Sequence, residues 1–142
     1  MQDTIKVHKS KIGPEVAIPI MLILGIILFV TVIVEKRWAA LLILLPVIFL
    51  LTHLFLTTKY TIHGNTLKIK CGFLFNKEID IHTIRKISET NNPLSSPAAS
   101  LDRLEIVFGA NDTVLISPKN KEAFIKDITS VNAAVEIKLK NK

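Results

Sequence analysis

The sequence predicts a two-helix transmembrane hairpin followed by a small, mainly β domain that ends in one α-helix. Residues 16–34 and 38–56 are uncharged runs of 19 residues with 16 apolar side chains each, whereas residues 57–142 alternate between apolar and polar side chains over short stretches. As an α-helix, 19 residues rise about 28 Å, close to the thickness of the hydrocarbon core of a bilayer. The 142-residue chain is therefore neither disordered nor an ordinary soluble domain.

The two runs are separated by only three residues, so the helices must turn straight back and form an antiparallel hairpin. The second run begins with Trp38, and tryptophan is typical of a membrane interface. A cleavable signal peptide is one alternative, but the first run is too long for its apolar region and a second run follows at once. A buried hairpin of a soluble protein is the other, and the lack of a polar face argues against it.

Basic residues near the runs predict the orientation of the hairpin. Its turn contains Lys36 and Arg37. Its outer ends are flanked by seven lysines, namely Lys6, Lys9, Lys11, Lys59, Lys68, Lys70 and Lys77. Such residues are enriched on the cytoplasmic side of membrane proteins. We therefore expect a two-pass protein of the cell membrane, with residues 1–15, both termini and the following domain in the cytoplasm.

Residues 57–132 show the alternation of half-buried strands, with turn residues between them. Six short strands are predicted, at residues 60–62, 67–69, 79–81, 84–87, 103–108 and 113–116. Gly64 and Asn65 form a two-residue hairpin loop between the first two strands. Consecutive strands joined by short turns predict an antiparallel meander. Because this domain has its own strands and turns, we expect residues 57–142 to fold without the two apolar runs.

Ser117 and Pro118 are typical of an N-cap followed by proline at the first helical position, and they predict a helix that covers one open face of the sheet. The apolar stripe of this helix consists of Phe124, Ile128 and Val131. Residues 133–142 alternate again, and both an edge strand and a C-terminal tail are compatible with them.

A meander closed by one amphipathic helix is the architecture of the pleckstrin-homology superfold. The stretch NNPLSSPAASLDRLEI at residues 91–106, followed by ISPK at residues 116–119, resembles the YyaB-like bacterial PH domain family. The resemblance covers roughly residues 58–130 and implies a PH-like domain in a bacterial membrane protein. Related proteins include a self-immunity protein against the antimicrobial peptide sublancin. Self-immunity is therefore the alternative role that the resemblance implies, with an antimicrobial peptide or a membrane protein as partner.

The segment 89–102 is a stretch of 14 residues without a usable period. Loops of this length are uncommon in compact domains and are often functional. One alternative is a rigid cap over an open end of the barrel that the predicted meander would form, held by local hydrogen bonds. The other is a binding surface, for which Arg103 offers a fork of donors to a carboxylate or phosphate. The candidate binding residues are Asn92, Pro93, Ser95, Ser96, Asp102 and Arg103.

Lys68 and Lys70 form an i, i+2 pair on one face of the second predicted strand. They are the candidates for contact with the lipid bilayer, because an anionic membrane surface attracts nearby cations by about 1 kcal/mol each. A solvated strand face is the alternative. Binding of nucleic acid is not expected, since the 13 basic residues of residues 57–142 are interleaved with nine acidic ones.

The sequence contains no catalytic, nucleotide-binding or metal-binding motif. Its four histidines are scattered, at His8, His53, His63 and His82. His53 lies one turn from the end of the second run, so we expect it to reach the membrane interface. Cys71 is a single cysteine and cannot form an intramolecular disulfide. We therefore expect no enzyme, no cofactor and no metal, but a binding module that acts through protein or membrane-surface interactions.

Overall fold

The computed structural model describes residues 4–92 and 100–140. The helices and strands in this part of the chain are, in order, β1 (Lys6–Lys9), α1 (Pro14–Phe29), α2 (Leu41–Thr57), β2 (Lys59–His63), β3 (Thr66–Cys71), β4 (Phe75–Asp80), β5 (Ile84–Thr90), β6 (Arg103–Phe108), β7 (Asp112–Ile116), α3 (Lys121–Val131) and β8 (Glu136–Lys138). The predicted fold class, two apolar helices followed by β-sheets and a C-terminal helix, is confirmed.

α1 and α2 are the two apolar helices. A π-helical turn, Val30–Val34, extends α1, and a 3₁₀ turn, Trp38–Ala40, precedes α2. The resulting helical segments have 21 and 20 residues, and they are long and apolar enough to cross a membrane. Neither α1 nor α2 contains a buried side chain. A helix from the core of a soluble domain would bury its apolar face, so this exposure agrees with the predicted spans.

The strands form two four-stranded sheets. The first has the strand order β1-β2-β3-β4 and is antiparallel throughout. The second has the order β7-β6-β5-β8, and its β5–β8 pair is parallel. The six predicted strands correspond to β2 through β7. Gly64 adopts a φ of +55° at the turn between β2 and β3, where glycine avoids the strain of a positive φ.

β1 is a strand that the sequence analysis did not identify. It precedes α1, yet it pairs with β2, which follows α2, and the ladder ends with Lys9 opposite Lys59. Ser10 then forms an antiparallel bridge with Pro118, which ties this segment to the end of β7. The N-terminal segment before α1 therefore contributes Lys6–Lys9 to the first sheet. The helical hairpin is an insertion in the connection between two neighbouring strands.

The core lies between the two sheets and α3. Its fully buried side chains include Tyr60, Leu67, Ile69, Ile81, Ile87, Leu104, Ile106, Ile116, Phe124 and Ile128. The last two lie on the predicted stripe of α3, and Val131 packs against the same core. The Tyr60 ring meets the Phe124 ring edge-on, at 6.3 Å between centroids. α3 therefore seals the core, as its apolar periodicity predicts.

The predicted N-cap of α3 is wrong. The helix begins three residues after Pro118, and its cap is Asn120, whose Oδ1 accepts a hydrogen bond from the N–H of Ala123 at 3.0 Å. Ser117 and Pro118 are not free to start a helix, because Pro118 forms the bridge with Ser10. The bridge to a segment distant in sequence thus overrides a local capping signal.

Part of the C-terminal segment forms an edge strand. β8 lies parallel to β5, with Ile137 opposite Ile87. Val135, just before β8, is buried in the core. Of the two alternatives for residues 133–142, the structure has a strand at Glu136–Lys138 and no regular element at residues 139–140.

Candidate interaction surfaces

The domain lies directly on the end of α2. Only Thr58 separates α2 from β2, and its Oγ1 donates to the Leu54 carbonyl at 2.7 Å and lies 3.2 Å from Cys71 Sγ. Gly72, in the turn between β3 and β4, packs so closely on Leu54 that a Cβ at Gly72 would lie 2.5 Å from Leu54 Cδ2. The β3–β4 turn therefore rests against the last turn of α2.

The first turn of α1 holds another part of the domain. The Glu15 carboxylate accepts hydrogen bonds from Ser100 Oγ at 2.7 Å and from the N–H of Leu101 at 3.0 Å. The N–H of Ser10 donates to the carbonyl of Thr58 at 3.1 Å, so the chain segments at the start of α1 and the end of α2 lie side by side. Both helices are thus hydrogen-bonded to the domain at its edge, which fixes how the domain is oriented relative to them.

Arg103 connects the two ends of the long loop inside the domain. Arg103 is only 6% exposed. Its Nε donates to the carbonyl of Ser100 at 2.5 Å, and its Nη1 donates to the carbonyl of Asn92 at 2.9 Å. A buried guanidinium that satisfies backbone carbonyls at both ends shapes the loop. This geometry favours the rigid-cap alternative for Arg103 over direct recognition of a partner.

Three of the predicted binding residues lie outside the described residues, and their role stays a prediction: Pro93, Ser95 and Ser96. Asn92 is exposed, and its N–H donates to Thr90 Oγ1 at 3.2 Å. The structure brings Asn92 and Arg103 together, whereas Asp102 faces two lysines. The ends of the loop are therefore held by different partners.

Asp102 belongs to a chain of alternating charges. Its carboxylate accepts hydrogen bonds from Lys11 Nζ at 3.0 Å and from Lys121 Nζ, and the same Lys121 amine donates to Glu89 at 2.6 Å. Partial burial opposes the ionisation of Asp102, but the bonds from Lys121 and Lys11 outweigh it and lower its pKa.

The hydrogen bond from Lys121 likewise lowers the pKa of Glu89. Burial opposes the charge of Lys121, but the bonds to Asp102 and Glu89 outweigh it and raise its pKa. These shifts all favour the ionised forms, so none of the three groups is poised to exchange a proton near neutral pH. The network therefore supports a structural role for this region.

The outer face of the first sheet carries a row of three lysines. Lys70 in β3 lies opposite Lys59 in β2, and Lys59 lies opposite Lys9 in β1. All three are exposed, and together they are referred to as the lysine row. Lys68, also in β3, instead donates to Glu78 at 2.7 Å. Spacing within β3 identifies Lys70 but not Lys9, because Lys9 joins the row only through β1.

A groove of about 560 Å³ lies between the lysine row and the end of α2. Besides the three lysines, its walls include Leu56, Thr57 and Phe73. Phe73 and Leu74 form the tip of the β3–β4 turn and are 69% and 65% exposed. The apolar surface of α2 thus continues onto an exposed apolar tip of the domain.

His53 lines the same groove and lies between two aromatic rings. The centroid of its ring is 6.4 Å from that of Phe49 and 6.2 Å from that of Phe73. Its Nδ1 is buried and has no hydrogen-bond partner within residues 4–92 and 100–140. Its position beside the domain agrees with the expected location near the end of the helix.

The other three histidines differ in their surroundings. His8 Nε2 bonds with Asp127 at 2.9 Å, and the other carboxylate oxygen of Asp127 accepts from Lys6 at 2.5 Å. His63 and His82 are exposed at or just after the ends of strands. In the part of the chain that the structure describes, no three His, Cys, Asp or Glu side chains cluster in a way that could hold a metal ion.

Comparison with known families agrees with this architecture. A family model described as the bacterial PH domain matches residues 58–132, slightly more than half of the chain. The chain belongs to the bacterial PH domain family. The match extends from the start of β2 to the end of α3. It leaves out β1, which precedes the helical hairpin in the sequence but pairs with β2 in the first sheet of this PH domain. No curated protein matches the chain. PH domains are in general non-catalytic binding modules, which supports the predicted class of function.

Proposed function

We propose that this protein is a two-pass protein of the bacterial cell membrane whose cytoplasmic PH domain is a non-catalytic binding module at the membrane surface. The length and apolar composition of α1 and α2 support the two spans. The seven lysines beside the outer ends of the hairpin, against Lys36 and Arg37 in its turn, support the cytoplasmic side for the domain.

The observation that carries the proposal is the direct attachment of the domain to both helices. Thr58 is hydrogen-bonded to Leu54 in α2, and Glu15 in α1 is hydrogen-bonded to Ser100 and Leu101. A flexible linker would allow the domain to swing away from the membrane. With these bonds and without such a linker, the same face of the PH domain points toward the bilayer, which suits a module that recognises its ligand there.

The exposed groups on that side support binding at the membrane surface. Lys121 already forms ion pairs with both Asp102 and Glu89. By contrast, the lysine row and the Phe73–Leu74 tip are exposed next to α2. A membrane protein or the bilayer itself is therefore the class of partner that this surface fits.

Reporter fusions test the proposed location. A cytoplasm-active reporter should be active when fused after Lys142 and inactive when inserted between Lys36 and Arg37. The protein should also stay in the membrane pellet after carbonate extraction, as expected for spanning helices. Release by carbonate, or the reverse reporter pattern, would contradict the proposal.

Self-immunity against an antimicrobial peptide is the second candidate, supported by the resemblance of residues 91–106 to a family with such a relative. To test this role, the protein is expressed in a bacterial strain that is sensitive to a bacteriocin encoded next to the gene for this protein, and the inhibitory concentration of that bacteriocin is measured. A raised inhibitory concentration favours immunity. An unchanged inhibitory concentration, with partners captured by cross-linking in the membrane, favours a general binding module.

A further inference from the structure

The lysine row places three like charges side by side. Residues directly opposite each other in antiparallel strands have Cβ atoms about 5 Å apart, and like charges in such positions repel. Within residues 4–92 and 100–140, no carboxylate forms an ion pair with Lys9, Lys59 or Lys70, whereas Lys68 is paired with Glu78. The row therefore carries a charge that an external anion would balance.

The Phe73–Leu74 tip lies at a defined depth along α2. The ring of Phe73 is 6.2 Å from that of His53, which precedes the last residue of α2, Thr57, by four residues. Four helical residues rise about 6 Å. An apolar tip at this depth lies at the boundary between headgroups and acyl chains, where interfacial apolar residues bind. The lysine row, which includes Lys59 just beyond α2, then lies at the level of the headgroups.

We propose that the lysine row and the Phe73–Leu74 tip form one interfacial site for an anionic phospholipid. The lysine amines bind its phosphate group, and the tip inserts beside its acyl chains. This inference rests on the membrane location proposed above and adds the chemical class of the ligand. The site combines strands β1, β2 and β3 with the end of α2, so it exists only when the hairpin and the sheet are assembled.

The groove between the two parts fits an amphipathic ligand. One side presents the three amines, and the other presents apolar groups such as Leu56 and Phe73. A soluble phosphate would use only the amines, and an apolar peptide would use only the tip. Lysine amines bind phosphate as point charges, without the planar fork of arginine. We therefore expect selection for negative charge and little selection among anionic headgroups.

Native mass spectrometry of the full-length protein tests the amines. The protein is solubilised in a mild detergent with equal amounts of phosphatidylglycerol and phosphatidylcholine, and the bound lipids are counted. The test variant removes the row: Lys9→Gln, Lys59→Gln and Lys70→Gln. The control variant removes the same charge from β5, α3 and β8: Lys86→Gln, Lys126→Gln and Lys138→Gln.

Each lysine near an anionic surface is worth about fivefold in binding, so retention of phosphatidylglycerol should fall at least about tenfold in the test variant. The control should stay within about twofold of the unmodified protein. Equal retention in the two triple variants would overturn the site. If the melting curve of the test variant shows that it does not fold, the three single variants decide, because each removes one exposed amine.

Fluorescence quenching tests the insertion of the tip. Trp38 is the single tryptophan, so Phe73→Trp in a Trp38→Phe background places the fluorophore at the tip alone. The control is Ala110→Trp, an exposed position in the turn between β6 and β7, at the end of the second sheet away from Arg103. Phosphatidylcholine brominated in the upper acyl chain should quench the fluorescence of the tryptophan at position 73 and leave that of the tryptophan at position 110 unchanged. Equal quenching at the two positions would refute insertion.

These outcomes separate the inference from the proposed function. Carbonate-resistant protein with the expected reporter pattern, but without preference for phosphatidylglycerol, would refute the lipid site and leave the membrane module standing. Release of the unmodified protein by carbonate would refute the membrane location, and the lipid site with it.

Discussion

Replacing Tyr60 by Phe removes one hydroxyl that joins three segments of the PH domain. The Tyr60 side chain is fully buried in β2, where its Oη donates to Ser10 Oγ at 3.2 Å and accepts from the N–H of Ser117 at 3.1 Å. Ser10 follows β1, and Ser117 follows β7. The phenyl ring would keep its edge-on contact with Phe124, so the substitution changes hydrogen bonding and almost no packing.

The contacts determine the size of the effect. Ser117 is fully buried, and its N–H would lose the Tyr60 hydroxyl, at a cost of about 1–3 kcal/mol for an unsatisfied donor. The Ser10 hydroxyl keeps a partner, because it also lies 3.3 Å from the Ser117 carbonyl. We therefore expect a loss of about 2 kcal/mol, which lowers the melting temperature of a domain of under 100 residues by about 8–16 °C.

The single cysteine provides the assay. Cys71 is partly buried in β3, so a thiol-reactive dye added to the full-length protein in nanodiscs reports when the first sheet opens on heating. The control is Thr61→Val, on the other face of β2, whose hydroxyl has no hydrogen bond within the described residues. It should change the free energy of unfolding by less than about 0.5 kcal/mol. If Tyr60→Phe melts at the same temperature as Thr61→Val, the hydroxyl does not hold the three segments together.

Three further perturbations test other parts of the structure. Residues 57–142 expressed alone lack β1, so they should melt at a lower temperature than the full chain and expose Cys71 to the dye earlier; equal melting would mean that β1 adds nothing. Gly72→Ala should cost about 1–3 kcal/mol more than Gly64→Ala, because both glycines have a φ of +55° but only Gly72 meets Leu54; equal costs would refute the packing of the turn on α2. Lys121→Met should lower the free energy of unfolding at neutral pH. As the pH falls, the free energy of unfolding of the variant should decrease less steeply than that of the unmodified protein. The two carboxylates that Lys121 binds have lowered pKa values, so they stabilise the fold above their ordinary pKa near 4 and lose this contribution as the pH falls through their folded values. The difference in melting temperature between the unmodified protein and the Lys121→Met variant should therefore shrink from pH 7 to pH 3. A constant difference over this range would contradict the role of Lys121.

Local patterns in the sequence were sufficient for most of the fold. Short runs of apolar and polar residues, with turn residues between them, predicted β2 to β7, and the spacing of Phe124 and Ile128 predicted the buried face of α3. Two long uncharged runs predicted α1 and α2. In each case the signal lies within one element, because burial of one face repeats with the period of that element.

The missed features depend on contacts between distant segments. β1 has the sequence KVHK, whose single apolar side chain gives no alternation, and its partner β2 lies 50 residues further along the chain. Ser117 looked like a helix cap, but the neighbouring bridge between Pro118 and Ser10 keeps the chain in the sheet. The lysine row follows from register across three strands, so spacing within β3 identified only Lys70. Register and pairing are properties of the assembled sheet and leave little trace in a short sequence window.

The insertion of the hairpin between β1 and β2 makes the PH domain depend on correct topology. In the proposed membrane topology, β1 is synthesised before the two spans and β2 after them, so the pair can form only when both ends of the hairpin lie on the same side of the bilayer. The hydrogen bond from the N–H of Ser10 to the carbonyl of Thr58, at 3.1 Å, closes the base of the hairpin once this condition is met. A chain that inserts only one span would separate Lys9 from Lys59 by the membrane and leave the edge of β2 unpaired. An unpaired strand edge is a template for aggregation, so a misinserted chain should be captured by quality control rather than persist as a folded domain.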